Sequence, residues 1–165
     1  MSLDRREFLR TSCSCLGFLS VAEIRALTKQ AAAEDASMKT LTLQHLTEGY
    51  WSADSLLLSA AKYLKEREDI VRVATGFGGG ILQKDLCGFV TGGVMAIGLF
   101  SGAVKGNDKA ARDKCHRLTK EYMKWWAENY PLRCGDIKQP CDYKGMGEKA
   151  SDFLQGVFER ESKKA

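Results

Sequence analysis

The sequence predicts an all-α fold, a compact bundle of five to six helices around a central glycine-rich apolar helix. Apolar residues recur at spacings of three and four along most of the chain, which is the helical period. No segment alternates apolar and polar residues over the length of a strand, and no hairpin turn signal separates two apolar runs. The most apolar stretch, residues 88–101, is too short to cross a membrane, so we expect it at the centre of the bundle.

Periodicity and cap residues place the helices in order along the chain. They are predicted near residues 38–48, 53–67, 69–75, 88–101, 109–129 and 149–160. Ser52 and Asp108 are good N-caps for the second and the fifth helix, because their side-chain oxygens can accept a backbone N–H of the first turn. Pro131 ends the fifth helix, since proline lacks the N–H that a continuing helix needs.

Glycines mark two places where backbones are expected to approach closely. Gly88, Gly92 and Ala96 recur every four residues, which puts small side chains along one ridge of the 88–101 helix. The run T-G-F-G-G-G-I over residues 75–81 predicts a turn that lets two helices pack together. It is not predicted to hold a nucleotide, because no Lys-Ser/Thr pair follows and no strand precedes it.

The first 33 residues resemble a twin-arginine export signal. Arg5 and Arg6 are followed at the required spacing by Phe, Leu and a basic residue, then by a modestly apolar stretch over residues 13–22. Alanines at 31–33 offer a cleavage site, and both cleavage and retention as an anchor stay open. The segment predicts passage of the folded protein through the twin-arginine translocase to the periplasm or the exported face of the membrane. Residues 34–165 then form the single helical domain.

Composition argues against two classes of function. The formal net charge is only +4 and no basic stripe is interleaved with aromatic residues, so the sequence predicts no nucleic-acid partner. No acidic pair or Ser-His-Asp arrangement is placed for catalysis. The sequence therefore gives no support for general acid–base or serine-type catalysis.

Six cysteines are the main candidates for chemistry. Two of them fall in the export segment, and four lie in the domain: Cys87, Cys115, Cys134 and Cys141. In an exported protein these four are compatible with disulfides, buried thiols or a metal or redox site. Cys87 precedes the 88–101 helix, where backbone N–H groups and the helix dipole favour a thiolate. Cys134 and Cys141 flank a six-residue loop, whereas the core-facing Cys115 is better explained as a structural thiol.

Neither histidine is a strong candidate by itself. His116 follows Cys115, but Arg112 stands where a covalent haem site would need its first cysteine, so no such site is predicted. His45 lies beside polar residues on an amphipathic helix, and we expect it at the surface or the edge of the bundle.

Four blocks of the domain match a known pattern. They are G-Y-W-S-A-D-S-L-L, A-T-G-F-G-G-G-I, L-C-G-F-V-T-G-G-V-M-A-I-G-L and a cysteine pair near the C-terminus. Together, over about residues 47–158, they resemble the redox-active family C_GCAxxG_C_C, whose related domains occur in split-Soret-type cytochromes. The resemblance implies a small helical domain whose spaced cysteines serve redox chemistry by holding an iron–sulfur cluster, expected to be of the 2Fe–2S type.

The resemblance assigns the cysteines residue by residue. Cys87 matches the central cysteine of the family, and Cys134 and Cys141 match the two late ones. Ser52 stands where the family has its first cysteine. A four-thiolate cluster then needs a substitute ligand. The candidates are Cys115, Ser52, Asp54 and His116.

Two functions stay open at this point. In the first, the chain is an exported electron-transfer carrier or subunit with an iron–sulfur centre on Cys87, Cys134 and Cys141, working with a redox partner protein or a membrane-bound complex. In the second, it is a non-catalytic accessory subunit of a larger exported or membrane-bound redox complex, with a degenerate cysteine site. A thiol–disulfide enzyme is disfavoured because no C-x-x-C occurs. The sequence leaves oligomerisation open.

Overall fold

Five α-helices carry the fold in the part of the chain that the computed structural model describes, residues 20, 36–102 and 105–164. They are α1 (Met38–Thr47), α2 (Ser52–Tyr63), α3 (Gly88–Ser101), α4 (Lys109–Asn129) and α5 (Tyr143–Ser162). The same residues contain no β-strand and a single isolated antiparallel bridge. The all-α prediction is confirmed.

The export segment lies outside the described residues apart from Ser20. Arg5, Arg6, Cys13 and Cys15 are all among the residues left undescribed, so the twin-arginine assignment and the choice between cleavage and retention stay predictions. Within the described residues, no helix is both long enough and apolar enough to cross a membrane.

The predicted second and third helices differ from the observed ones. Trp51 is the N-cap of α2 and Ser52 its first residue, so Ser52 is not the predicted cap. α2 ends at Tyr63 rather than near residue 67, because Lys65 takes a positive φ of 57° that breaks the helix. In place of the third helix there are two short 3₁₀ turns, Glu68–Val73 and Thr75–Phe77.

The last helix begins six residues earlier than predicted, at Tyr143. Asp142 is its N-cap, and the side-chain carboxylate of Asp142 accepts the Gly145 N–H at 2.9 Å. Gly147 also lies inside the helix, where a Cβ would come within 3.2 Å of the Phe89 ring. Glycines usually weaken a helix, and here the tertiary contact that they permit outweighs that preference.

α2 and α3 pack with their backbones in close contact, as the small-residue ridge predicts. A Cβ built at Gly92 would lie 2.7 Å from the Ala53 carbonyl oxygen and 2.9 Å from the Ala53 Cα. A Cβ built at Gly88 would overlap the Ser52 hydroxyl oxygen. Because these two positions carry only hydrogens, the first turn of α2 lies directly against the first two turns of α3.

α4 closes the bundle with large aromatic side chains. Tyr122 and Trp126 are fully buried, and each also has a hydrogen bond for its polar atom. The Tyr122 hydroxyl donates to the Phe89 carbonyl oxygen at 2.8 Å, and Trp126 Nε1 donates to the Pro131 carbonyl oxygen at 3.0 Å. The first bond holds the backbone just after Cys87, and the second holds the segment that pairs with Cys87. These two aromatic residues therefore help to position the site described below.

His45 is buried at 1% exposure, so its predicted place at the surface is wrong. Its Nδ1 lies 3.0 Å from the Ser59 hydroxyl oxygen of α2, and its Nε2 has no hydrogen-bond partner among the described residues. Burial, followed by the positive charge of Lys62, lowers the pKa of His45 below its usual value of 6.5.

This burial predicts that the folded state loses stability on mild acidification. Because the pKa of His45 is lower in the folded chain than in the unfolded one, the unfolded state binds the extra proton as the pH falls below about 6.5. We expect the free energy of unfolding, measured by urea denaturation, to fall between about pH 7.5 and 5.5. His45→Asn should reduce that slope, and an unchanged slope in the variant would contradict the assignment.

Candidate functional site

The site is built on a short antiparallel ribbon between two loops. Leu86 and Arg133 form the bridge. On either side of it, the Cys87 N–H donates to the Leu132 carbonyl oxygen at 2.8 Å, and the Cys134 N–H donates to the Asp85 carbonyl oxygen at 2.7 Å. Side chains alternate between the two faces of such a ribbon, so Cys87 and Cys134 share the face opposite to Leu86 and Arg133.

The register of the ribbon keeps these two cysteines apart. Cys87 is opposite Leu132, which makes Cys134 its diagonal neighbour. Diagonal neighbours in a ladder lie about 7–8 Å apart, whereas a disulfide requires Cβ atoms within about 3.5–4.5 Å. Both cysteines are free thiols, in agreement with this geometry. Their side chains are placed to contact one bound group from two sides.

Such a bound group would occupy a cavity of about 370 Å³ beside the ribbon. Its wall has four sulfur-bearing side chains, three with hydroxyl or amide groups, three apolar side chains and one glycine. They are Cys87, Cys134, Cys141 and Met146; Ser52, Gln139 and Tyr143; Trp51, Phe89 and Ile137; and Gly79. No charged side chain lines it among the residues that the structure describes, so the cavity is a sulfur-rich and largely apolar chamber.

Cys87 is the N-cap residue of α3 and is buried at 3% exposure. Burial raises the pKa of its thiol, while the backbone N–H groups of Phe89 and Val90 act in the opposite direction. The thiolate expected from the helix N-terminus is therefore not favoured, because loss of solvation is the larger effect. Cys87 is a thiol that would lose its proton on binding a metal.

Cys141 completes the sulfur set from the loop before α5. It is half-buried, and Gln139 Nε2 donates to its sulfur at 3.4 Å. Cys134 lies against Gly80, where a Cβ would come within 2.8 Å of the Cys134 Cβ. The glycine-rich loop is therefore closely packed, but its glycines contact Cys134 and Trp51 instead of lying between two helices, as the sequence predicts.

Ser52 and Tyr143 form the remaining polar part of the wall. Burial raises the pKa of the Tyr143 phenol, and the interaction with Ser52 acts in the opposite direction. The sequence points to Ser52 through its place in the family pattern and misses Tyr143. The signal that could have found it is the four-residue spacing of Met146, Ala150 and Leu154. This apolar period extends the last helix toward its N-terminus and so to Tyr143.

The other three candidate ligands lie away from the cavity wall. Cys115 is half-buried on α4 and packs at the edge of the core. His116, its neighbour, is exposed. Asp54 is buried near the start of α2, where the Trp51 backbone N–H and the Thr75 side chain act on its carboxyl group and burial raises its pKa. Of the four substitute ligands considered, the structure brings Ser52 alone to the three cysteines.

The donor set fits one kind of metal centre better than another. Within the described residues, no three side chains of His, Cys, Asp or Glu lie close enough to hold a single metal ion. A polynuclear cluster distributes its thiolates over several metal ions, so its ligands surround it instead of converging on one point. Three thiols spaced around a largely apolar cavity suit that class of group.

Comparison with protein families matches residues 50–159 to the family described as "Putative redox-active protein (C_GCAxxG_C_C)". Searches of curated proteins and of solved structures find no match. The matched range covers well over half of the chain and includes Ser52, Cys87, Cys134 and Cys141. The chain belongs to the C_GCAxxG_C_C family of redox-active proteins.

Proposed function

We propose that the chain is an exported electron-transfer protein, a carrier or a subunit, that holds an iron–sulfur centre of the 2Fe–2S type in the cavity. Cys87, Cys134 and Cys141 would be its thiolate ligands. One observation carries the proposal: cysteines from three separate segments line a single apolar cavity, and two of them are kept apart by the ribbon. That arrangement is poorly suited to a disulfide between Cys87 and Cys134 and well suited to a shared centre.

The residues around the cavity have defined tasks in this proposal. A bound cluster would supply one-electron chemistry, and the protein's part is to bind it and control its surroundings. Trp51, Phe89 and Ile137 make this part of the wall apolar, which would affect the reduction potential of a centre held there. Trp51 and Tyr143 are also 50% and 41% exposed, so electrons would enter and leave on this side.

Localisation and partners follow from the export segment and from this open side. The twin-arginine pattern at Arg5 and Arg6 supports export of the folded, loaded protein to the periplasm or to the exported face of the membrane. The exposed Trp51 supports docking of a redox partner protein or a membrane-bound complex beside the cavity. Nothing in the charge of the chain favours a nucleic acid.

A second function is favoured by a different observation. Ser52 replaces a family cysteine, so the cavity has one thiol fewer than a four-thiolate cluster needs. The chain would then be an accessory subunit of a larger exported or membrane-bound redox complex, in which the cysteines are inert thiols or form disulfides. Both functions use the same fold and differ in whether the cavity is loaded.

Iron and sulfide content separates the two functions. We expect full-length protein purified anaerobically from its native host to be coloured and to contain iron and acid-labile sulfide in comparable amounts. The visible absorption should bleach on reduction with dithionite. Colourless protein without iron, with Cys134 and Cys141 joined in a disulfide, would contradict the electron-transfer proposal and support the accessory subunit.

A further inference from the structure

Large apolar side chains are exposed around the cavity. Among the described residues, every exposed large apolar side chain except Val73 belongs to a segment that also supplies the cavity wall. Trp51 is a wall residue and is 50% exposed, and Leu82 is the most exposed of the set at 71%. Exposed apolar groups that are gathered in one place mark a contact surface.

The turn before the ribbon holds two of these side chains on a strained backbone. Ile81 and Leu82 have positive φ angles of 56° and 57°. This left-handed conformation is unfavourable for residues with a Cβ, and most of all for a β-branched isoleucine. Ile81 is also 45% exposed, so the described part of the chain buries neither side chain fully and gives little compensation for the strain. Burial of these side chains against a partner would supply it.

The strained turn is fixed to the mouth of the cavity. Gly79 lines the cavity, and a Cβ built at this position would lie 2.7 Å from a ring atom of Trp51. Gly80 is buried, and the two aliphatic residues follow it directly. Trp51, Ile81 and Leu82 therefore lie close together beside the cavity, and we call these three residues the mouth patch.

Three exposed lysines also lie beside the cavity: Lys84, Lys138 and Lys144. Lys84 is the last residue of the strained turn, Lys138 lies between two wall residues, and Lys144 follows the wall residue Tyr143. None of the three forms an ion pair within the part of the chain that the structure describes. Their charges are available to a partner.

The carboxylates of the same loops are engaged elsewhere. Asp85 pairs with Arg133 at 3.1 Å, and Asp142 caps α5. Asp136 lines a second depression together with Leu86, on the other face of the ribbon. The surface beside the cavity mouth therefore combines exposed apolar groups with unpaired positive charges.

We propose that the mouth patch and these lysines form a docking surface for a bilayer that contains anionic lipids. Tryptophan favours the headgroup region, aliphatic side chains on a projecting turn reach the acyl boundary, and lysines contact anionic headgroups through flexible stems. A protein partner fits less well, because protein interfaces are depleted in lysine. The inference goes beyond the proposed function and requires no iron. It brings the mouth of the cavity to the membrane surface, where a membrane-bound redox complex would be reached.

Quenching of tryptophan fluorescence by brominated lipid tests this surface. Full-length protein is mixed with vesicles of phosphatidylglycerol and brominated phosphatidylcholine in equal amounts. Of the three tryptophans, Trp51 is exposed, whereas Trp125 and Trp126 pack in the core. We expect the bromine to quench Trp51 emission, and Trp51→Phe to lose this quenching. Vesicles of phosphatidylcholine alone should bind at least about tenfold more weakly, because they offer the lysines no net negative charge.

Leu82→Asp and Val73→Asp are the matched pair of variants. Each replaces an exposed aliphatic side chain with a carboxylate, and Val73 is 58% exposed on the Glu68–Val73 turn, outside the cavity wall. Leu82→Asp should weaken binding by about tenfold or more, the factor that corresponds to burial of a leucine side chain. Val73→Asp should change it little. Aspartate tolerates a positive φ better than leucine does, so the fold should survive at position 82.

Each contrary outcome overturns the docking surface. Absence of binding to anionic vesicles would leave the mouth patch to a protein partner. Binding without quenching of Trp51, or quenching that persists in Trp51→Phe, would show that another part of the chain contacts the lipid. Equal losses in the two aspartate variants would show that added negative charge, and not the mouth patch, is the cause. Iron and sulfide enter none of these measurements, so these outcomes leave the proposed function standing.

Discussion

Gly92→Ala is expected to destabilise the protein severely for so small a change. The added methyl group would lie 2.7 Å from the Ala53 carbonyl oxygen and 2.9 Å from the Ala53 Cα. These are backbone atoms of α2, so no rotamer change can relieve the contact and the two helices must separate. Overpacking of this kind costs about 1–3 kcal/mol and sometimes more. We expect the free energy of unfolding, measured by urea denaturation, to fall by at least about 2 kcal/mol.

Gly98→Ala in the same helix is the matched control. A Cβ at Gly98 meets nothing within 4 Å, and the residue has no positive φ. The substitution should therefore stabilise the protein by up to about 1 kcal/mol, because alanine is the better helix former. Equal losses in the two variants would show that α3 tolerates no side chain at either glycine, and that the close contact with Ala53 is not the cause.

The sequence correctly predicts the helices that have a regular apolar period and clear end signals. α3 and α4 begin and end where the apolar period, Asp108 and Pro131 predict. The start of α5 is missed because Gly145 and Gly147 suggest a loop. Gly145 in fact leaves room for the Asp142 cap, and Gly147 lets the helix pack against Phe89. Helix propensity is a weak guide wherever a tertiary contact decides the outcome.

The arrangement of the site is harder to predict from the sequence than the helices are. Its cysteines come from loops and from one helix start, and the bridge between Leu86 and Arg133 is too short to leave a strand pattern. Without the family resemblance, the sequence does not bring Cys87 to Cys134. Long-range pairings of this kind depend on the whole packing around them. His45 is misplaced for the same reason, since its partner Ser59 belongs to another helix.

Cys134→Ala is expected to abolish the iron–sulfur centre. Loss of a residue that only orients a metal ligand costs about 10–100-fold in metal affinity, so loss of a thiolate ligand should reduce bound iron at least as much. The variant keeps the Cβ that contacts Gly80, and Cys134 is only half-buried, so the fold should survive. Iron and sulfide content after anaerobic reconstitution, with circular dichroism to confirm folding, measures the effect.

Cys115→Ala separates a ligand from a thiol that merely belongs to the domain. Cys115 is half-buried as well, but it packs on α4 and does not line the cavity, so its removal should leave iron content and visible spectrum unchanged. Each substitution removes one thiol sulfur from a residue of similar exposure. A difference in iron content between the two variants therefore reflects the position of the thiol. A folded Cys134→Ala protein with full iron content would remove Cys134 from the ligand set. A loss of iron in Cys115→Ala would mean that α4 moves toward the cavity when the centre binds, because only such a movement brings that thiol to the other three.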